Sequence, residues 1–360
     1  MSRVASARRA SRGVAPRLLA LCTALPLAAC FEPSAPVAPM APGAASLAIE
    51  GVVSPKGDRL ATIEQEGSKE VLYLQNADGS NRTRVYFQNV RDHVAGNYSS
   101  SVMPVTDETI LAIRRARWSP DGQALAAIVV PASGVAEVVL VSADGHDLRT
   151  VSPNSQYLFG DVEWSPDSRR IAYAMSTGPF ALSPDLFVTE LGPDRVKRVT
   201  TSGKVSGFDT FRFDPTGQRI NFTERLGWAE DDVNGLFRLA SADLTTGVIV
   251  QTDTIVGEPQ GIARDGSWVL LLRWSVEKVR ELVRVPLTTG AETVLATGDV
   301  QNAVLVEGDR EAVVVSPDPN DRNGVGRTFR IFGVSAPNDV RATLPTGLNV
   351  NWAAFARASR

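Results

Sequence analysis

Cysteine and histidine are nearly absent from this sequence, which has two of each in 360 residues. Both cysteines, Cys22 and Cys30, lie near the N-terminus. The rest of the chain therefore has no disulfide and no thiol for zinc or nucleophilic chemistry. His93 and His146 stand far from metal-ligand spacing. His146 follows a tight turn and is expected to be exposed, which leaves His93 as the one candidate base. No Gly-x-Ser-x-Gly elbow occurs, so the hydrolase domain built on that turn is not expected. No glycine-rich loop marks a phosphate site, and no later run reaches the roughly 18 apolar residues of a membrane-spanning helix.

What is present begins with an export pattern. Arg3, Arg8, Arg9, Arg12 and Arg17 precede an apolar stretch over 18–29 that closes on small residues. The stretch ends in Leu27-Ala28-Ala29-Cys30, which resembles the lipobox of bacterial lipoproteins. That resemblance implies removal of residues 1–29 and acylation of Cys30. Each buried acyl CH₂ contributes about 0.8 kcal/mol, so several chains hold a protein on a membrane without a spanning helix. Phe31 differs from the Asp that retains some lipoproteins at the inner membrane, which implies the outer membrane, facing the periplasm. Arg8-Arg9 lacks the apolar residues that follow a twin-arginine pair.

Loss of the five signal arginines leaves 32 basic against 40 acidic residues, a net charge of −8. An acidic body argues against nucleic acid and against electrostatic docking on anionic lipid. Residues 30–45 are rich in Pro and Ala and read as an extended tether. Residues 46–360 are long enough for one large all-β domain.

That domain is repetitive. Trp118-Ser119-Pro120-Asp121-Gly122 returns as Trp164-Ser165-Pro166-Asp167-Ser168, as Phe213-Asp214-Pro215-Thr216-Gly217 and, earlier, as Val53-Ser54-Pro55-Lys56-Gly57. Weaker copies stand at Arg264-Asp265-Gly266-Ser267 and Glu307-Gly308-Asp309. Each reads as a strand end and a tight reversal, because Pro lacks a ladder N–H and Asp-Gly accepts positive φ. A second turn follows in phase, at Asn76-Ala77-Asp78-Gly79, Ser142-Ala143-Asp144-Gly145, Gly192-Pro193-Asp194, 243–247, 287–290 and 335–339. Pro120 to Pro166 is 46 residues and Pro166 to Pro215 is 49, close to a four-stranded propeller blade.

These motifs resemble the TolB-like six-bladed β-propellers and related WD40-like repeats, which carry Trp-Ser-Pro-Asp-Gly in their blades. The resemblance implies an all-β propeller of four-stranded antiparallel blades, six or with a partial seventh, and a role among envelope proteins. A further copy of the innermost strand begins at Asn351-Trp352-Ala353-Ala354-Phe355 and reads as ring closure. The chain passes from tether to propeller with no room for the domain that precedes the TolB propeller.

The repeat sorts the loops by face. The turns fall on one face, and the long connections 88–110, 227–234 and 318–325 fall on the other, the expected binding face. Polar residues on the innermost strands form the candidate ligand site: Arg115, Arg117, Asp161, Glu163, Arg212, Asn349 and Asn351. The competing expectation is that these charges pair with one another at a solvated rim. Residues 318–324 lack the ligand alternation of a calcium loop, and Glu230-Asp231-Asp232 reads as solvated too.

The expected function is a lipid-anchored scaffold that binds an envelope protein or polysaccharide, with no cofactor and no catalysis. The alternative is a lactonase- or cyclase-like propeller enzyme with a metal held by Asp161, Glu163 and Asn351 in the central channel.

Overall fold

The structure, a computed structural model, describes residues 48–344 except 88–90, 93–109, 133, 135, 154–157, 177–183, 193–194, 207–209, 230–233, 288–289, 306–308 and 318–326. All lie in one compact unit, Ala41–Arg360. Their regular structure is six sheets taken in chain order. Blade 1 holds β1 (Ala48–Val53), β2 (Arg59–Glu66), β3 (Lys69–Asn76) and β4 (Thr83–Arg84). Blade 2 holds β5 (Arg91–Asp92), β6 (Ile110–Trp118), β7 (Ala124–Pro131), β8 (Glu137–Ser142) and β9 (Leu148–Thr150). Blade 3 holds β10 (Leu158–Trp164), β11 (Arg170–Met175), β12 (Asp185–Glu190) and β13 (Arg195–Arg198). Blade 4 holds β14 (Phe211–Phe213), β15 (Arg219–Trp228), β16 (Gly235–Asp243) and β17 (Ile249–Val256). Blade 5 holds β18 (Glu258–Ile262), β19 (Trp268–Trp274), β20 (Arg280–Pro286) and β21 (Thr293–Thr297). Blade 6 holds β22 (Asn302–Leu305), β23 (Glu311–Pro317), β24 (Arg327–Gly333) and β25 (Val340–Leu344).

The first long strand of each blade packs on that of the next, β1 on β6, β6 on β10, β10 on β14, β14 on β18 and β18 on β22. These strands are therefore innermost, and the chain works outward through each blade. Middle strands such as β11, Arg-Ile-Ala-Tyr-Ala-Met, are apolar on both faces because both are covered by neighbouring blades. The outermost strands β13 and β17 are largely exposed. Apolar clusters fill the joints between blades 1 and 2, 2 and 3, 3 and 4, 4 and 5, and 5 and 6. Each buried Leu, Ile or Phe in them contributes roughly 1.5–3 kcal/mol.

The repeat is carried by backbone geometry. Val53, Trp118, Trp164, Phe213, Ile262 and Leu305 pair with Leu60, Leu125, Ile171, Ile220, Val269 and Ala312, the same offset in every blade. In the turn between, Gly57, Gly122, Ser168, Gly217, Gly266 and Asp309 take φ of 71°, 70°, 58°, 70°, 71° and 55°. The best copies reinforce the turn with side chains. Ser119 Oγ donates to Asp121 at 2.6 Å and accepts the Ala124 N–H at 3.0 Å. In blade 1 Lys56 stands where the other copy has Asp, and Ser54 donates instead to Asp58 at 2.7 Å.

The tryptophan of the motif is a staple between blades. Trp118 Nε1 donates to the Val52 carbonyl and Trp164 Nε1 to the Arg117 carbonyl, both at 3.0 Å. In each case the acceptor precedes the equivalent position of the blade before.

Blade 2 departs from four strands. The dipeptide β5 pairs in parallel with β9, Arg91 with Arg149 and Asp92 with Thr150, and adds a fifth strand at the outer edge. Part of the connection over 88–110 thus runs along the blade's periphery, where the repeat alone placed all of it on the loop-bearing face. The connection expected over 227–234 is also shorter, because Gly227 and Trp228 belong to β15.

Candidate functional site

Antiparallel order puts the turns after the first and third strands of each blade on one face. The turns after the second strand, and the connections between blades, fall on the opposite, loop-bearing face. Polar and charged groups gather in two regions, the inner rim and the loop-bearing face.

Four of the six innermost strands are bulged. Register shifts interrupt β1 between Ala48 and Glu50, β6 between Arg114 and Arg117, β10 between Phe159 and Val162, and β18 between Pro259 and Gly261. Bulges free residues from the ladder and re-aim them. Arg115 and Asp161 sit in these interruptions, and Arg115 holds φ at 57°, a left-handed conformation rare for a residue with a long side chain. Arg117 and Glu163 occupy equivalent positions one residue before the Trp of their blades, both half-buried.

Arg212 takes that position in blade 4 and is paired. Its Nη1 lies 2.8 Å from Asp309 Oδ1, in the first turn of blade 6. Asp309 Oδ2 also accepts the Arg264 N–H at 2.6 Å, so one carboxylate ties blades 4, 5 and 6 together. Cys30, His93, Asn349 and Asn351 lie outside the described residues, as do Glu230-Asp231-Asp232 and 318–324. Among the described residues no three His, Cys, Asp or Glu side chains converge as metal ligands.

The loop-bearing face is braced by buried acceptors. Asp185, 2% exposed, accepts from Arg198 Nη2, from Thr200 Oγ1 at 2.8 Å and from the Gly203 N–H at 2.9 Å. Glu224, also 2% exposed, accepts from Ser202 Oγ, Arg238 Nε and Gln251 Nε2 at 3.0, 2.7 and 2.9 Å. Together they fix the connection between blades 3 and 4. Glu70 Oε2 accepts the Ile113 N–H of blade 2 at 2.7 Å.

Asn234 clamps the end of β19 in the same way. Its Oδ1 accepts the Trp274 N–H at 2.8 Å and its Nδ2 donates to the Trp274 carbonyl at 3.1 Å. Beyond that clamp the blade 5 hairpin projects apolar groups into solvent. Trp274 is 41% exposed, Val276 fully so, and Val279 is exposed as well. The Arg280 guanidinium stacks 5.5 Å from the Trp274 ring, and Lys278 turns the hairpin at φ 60°. Sequence reasoning missed this patch. Its signal was present in Trp274-Ser275-Val276-Glu277-Lys278-Val279, a turn with exposed apolar residues and no Gly, Asn or Pro to mark it.

No protein-family model and no curated protein matches the chain. Solved structures do. TolB from Acinetobacter baumannii is 16% identical with a TM-score of 0.51, over 82% of this chain and 62% of that one. The propeller domain of the trilobed protease from Pyrococcus furiosus is 11% identical with a TM-score of 0.55, over 83% of this chain and 84% of that one. A prolyl endopeptidase is 13% identical with a TM-score of 0.56, over 84% of this chain and 43% of that one. The chain thus spans less than two thirds of TolB and less than half of the endopeptidase. At these identities the likeness establishes the fold: a β-propeller of the TolB kind.

Proposed function

We propose that the protein is a lipid-anchored propeller of the bacterial cell envelope that binds a macromolecular partner through its loop-bearing face. The anchor is Cys30 of Leu27-Ala28-Ala29-Cys30, with the outer membrane as its site and the periplasm as the side it faces. The partner is an envelope protein or polysaccharide. TolB supports the setting by analogy of fold only.

The observation that supports this reading most is the Trp274 hairpin. A tryptophan 41% exposed, with its backbone pinned by Asn234 and a guanidinium against its ring, is ordered before anything binds. Little conformational entropy remains to be lost, and Trp and Arg are the residues most often found carrying binding energy at interfaces.

The test is affinity capture from solubilised envelopes with the native lipoprotein. Wild type is compared with Trp274→Ala, with Val276→Asp and with a variant shortened within 93–109. The reading expects a partner recovered by wild type and depleted by both hairpin variants. Equal recovery in all samples would remove blade 5 from the interface, and recovery lost only with the shortened loop would move the interface to blades 1 and 2.

A further inference from the structure

Each blade ends in an open sheet edge, and most of these edges are guarded. β9 is covered by β5. β4 has two residues, and β13 has four, of which Arg195, Lys197 and Arg198 are cations. β21 and β25 have five each, β21 with Leu295 and Ala296 buried and β25 with Arg341 inside it. Short length, charge and cover are the usual means by which an edge is kept from pairing with another chain.

The first half of β17 has none of them. The strand is eight residues long and the last of its sheet, with no lysine, no proline and one charged residue, Asp253. Val248, just before it, and Val250 are 58% and 59% exposed, and Ile249 is exposed as well. Further on the strand is bulged, since Thr252 and Asp253 both fall opposite Leu239, and the Thr252 hydroxyl bonds to the Leu239 backbone. That bulge confines regular pairing to the residues before it.

The blade itself sets which groups of this stretch point outward. The Asp243 N–H donates to the Val248 carbonyl, and Ser241 stands opposite Val250. Antiparallel alternation then turns the N–H and C=O of Ile249 and Gln251 away from β16. Two outward residues on either side of a third make an edge that is complementary to itself. We propose that β17 is a homodimer seam, where two copies of this chain pair antiparallel about a two-fold axis at Val250.

In that register Ile249 of each copy exchanges two N–H···O=C bonds with Gln251 of the other. Val250 meets its own counterpart in the non-hydrogen-bonded pair between them, where Cα atoms are about 4.5 Å apart and side chains are closest. Charge favours a second copy as the occupant. Asp253 falls opposite Gly247 of the second copy and not opposite itself. That end of the hairpin carries Lys197, bonded to the Leu244 carbonyl, and Arg219, 4.0 Å from Asp243. No two charges of the strand stand face to face. Because the strands run antiparallel, the loop-bearing faces of the two copies point in opposite directions and stay open. The seam is thus independent of the partner-binding face.

The test is disulfide formation by the purified full chain in detergent under mild oxidation, with the protein lacking an added cysteine as the background from Cys30. Val250→Cys is expected to give a linked dimer, since cysteines at that separation meet disulfide geometry. Val248→Cys and Val256→Cys are the controls, at 58% and 40% exposure. In the proposed register each stands roughly 14 Å or more from its counterpart, too far to bridge. Linkage at Val250→Cys roughly tenfold or more faster than at either control is the expected result. A control that links as fast as Val250→Cys, or no linkage at Val250→Cys, would overturn the proposal. Ile249→Pro, added to Val250→Cys, removes an outward N–H that the blade does not use. It should abolish the linkage, and linkage that persists would overturn the register.

Discussion

Arg212 on the innermost strand of blade 4 reaches past blade 5 to Asp309 in the first turn of blade 6, with 2.8 Å between nitrogen and oxygen. Gly261 is the blade 5 residue at the level of Arg212. A Cβ there would come within 2.8 Å of the Leu305 side chain, so the position has no room for one. Arg212, one of the polar residues of the candidate ligand site, thus ties blade 4 to blade 6.

The pair is about four-fifths buried on both sides. Asp309→Ala leaves Arg212 without this partner and the Arg264 N–H without its acceptor, and is expected to cost roughly 2–4 kcal/mol. Asp309→Asn keeps one acceptor and tolerates the positive φ, so it should cost less than half of that. Urea midpoints, with a cycle through Arg212→Met, measure the coupling.

Two tryptophans separate structure from binding. Trp164→Phe removes the bond to the Arg117 carbonyl and is expected to destabilise the fold by roughly 1 kcal/mol. Trp274→Phe is expected to change stability by less than about 0.5 kcal/mol, since its ring is largely in solvent. Thermal unfolding of the two variants side by side reads the contrast.

The first turns predict a graded glycine series. At Gly122, φ 70°, an added Cβ meets nothing nearer than Pro55 Cδ at 3.9 Å. Gly122→Ala should therefore cost only the backbone term, roughly 1–2 kcal/mol. At Gly266 the Cβ would stand 3.0 Å from the Asn221 amide, which donates to the Arg264 carbonyl. Gly266→Ala should be clearly the worse of the two in urea unfolding.

Acid should loosen the turns. Asp58, Asp78 and Asp144 are held below the usual carboxylate range, chiefly by the hydroxyls of Ser54, Ser80 and Ser142. Asp243 is lowered first by the Thr246 N–H. Burial works against ionisation of Asp167, but the Ser165 hydroxyl and the Arg169 N–H outweigh it. These groups bind protons less readily folded than unfolded. Their stabilisation is complete above the unfolded value near about 4 and is lost as pH falls through the lower folded values. The urea midpoint should hold from neutral pH to about 5 and drop below about 4. Ser142→Ala should make that drop shallower.

The blades were legible because some of Pro, Asp and Gly mark each first turn chemically, as the full Pro-Asp-Gly run only in the copy at Trp118, and the paired runs between the turns are apolar. Asp309 fills the glycine position of the poorest copy and still takes the same φ, so even a degraded motif located its turn. β5 left no trace, since two residues have no periodicity and its partner β9 lies far along the chain. Arg115 and Asp161 could be placed on innermost strands, but their bulges could not, because a register slip depends on the partner strand. The charge on Arg212 was visible, whereas Asp309, 97 residues away, was not a neighbour that spacing could supply. The Trp274 patch escaped because Lys278 makes a turn that glycine would have advertised.

The six first turns share one torsion while their side chains range over glycine, serine and aspartate. What is inherited from blade to blade is thus a conformation that several residues can satisfy, and residue identity is free to drift around it. A profile that weighs letters loses such a chain early, while a comparison of shapes continues to find it. The same latitude would let a propeller of this kind change its recognition surface one hairpin at a time without disturbing the ring that carries it.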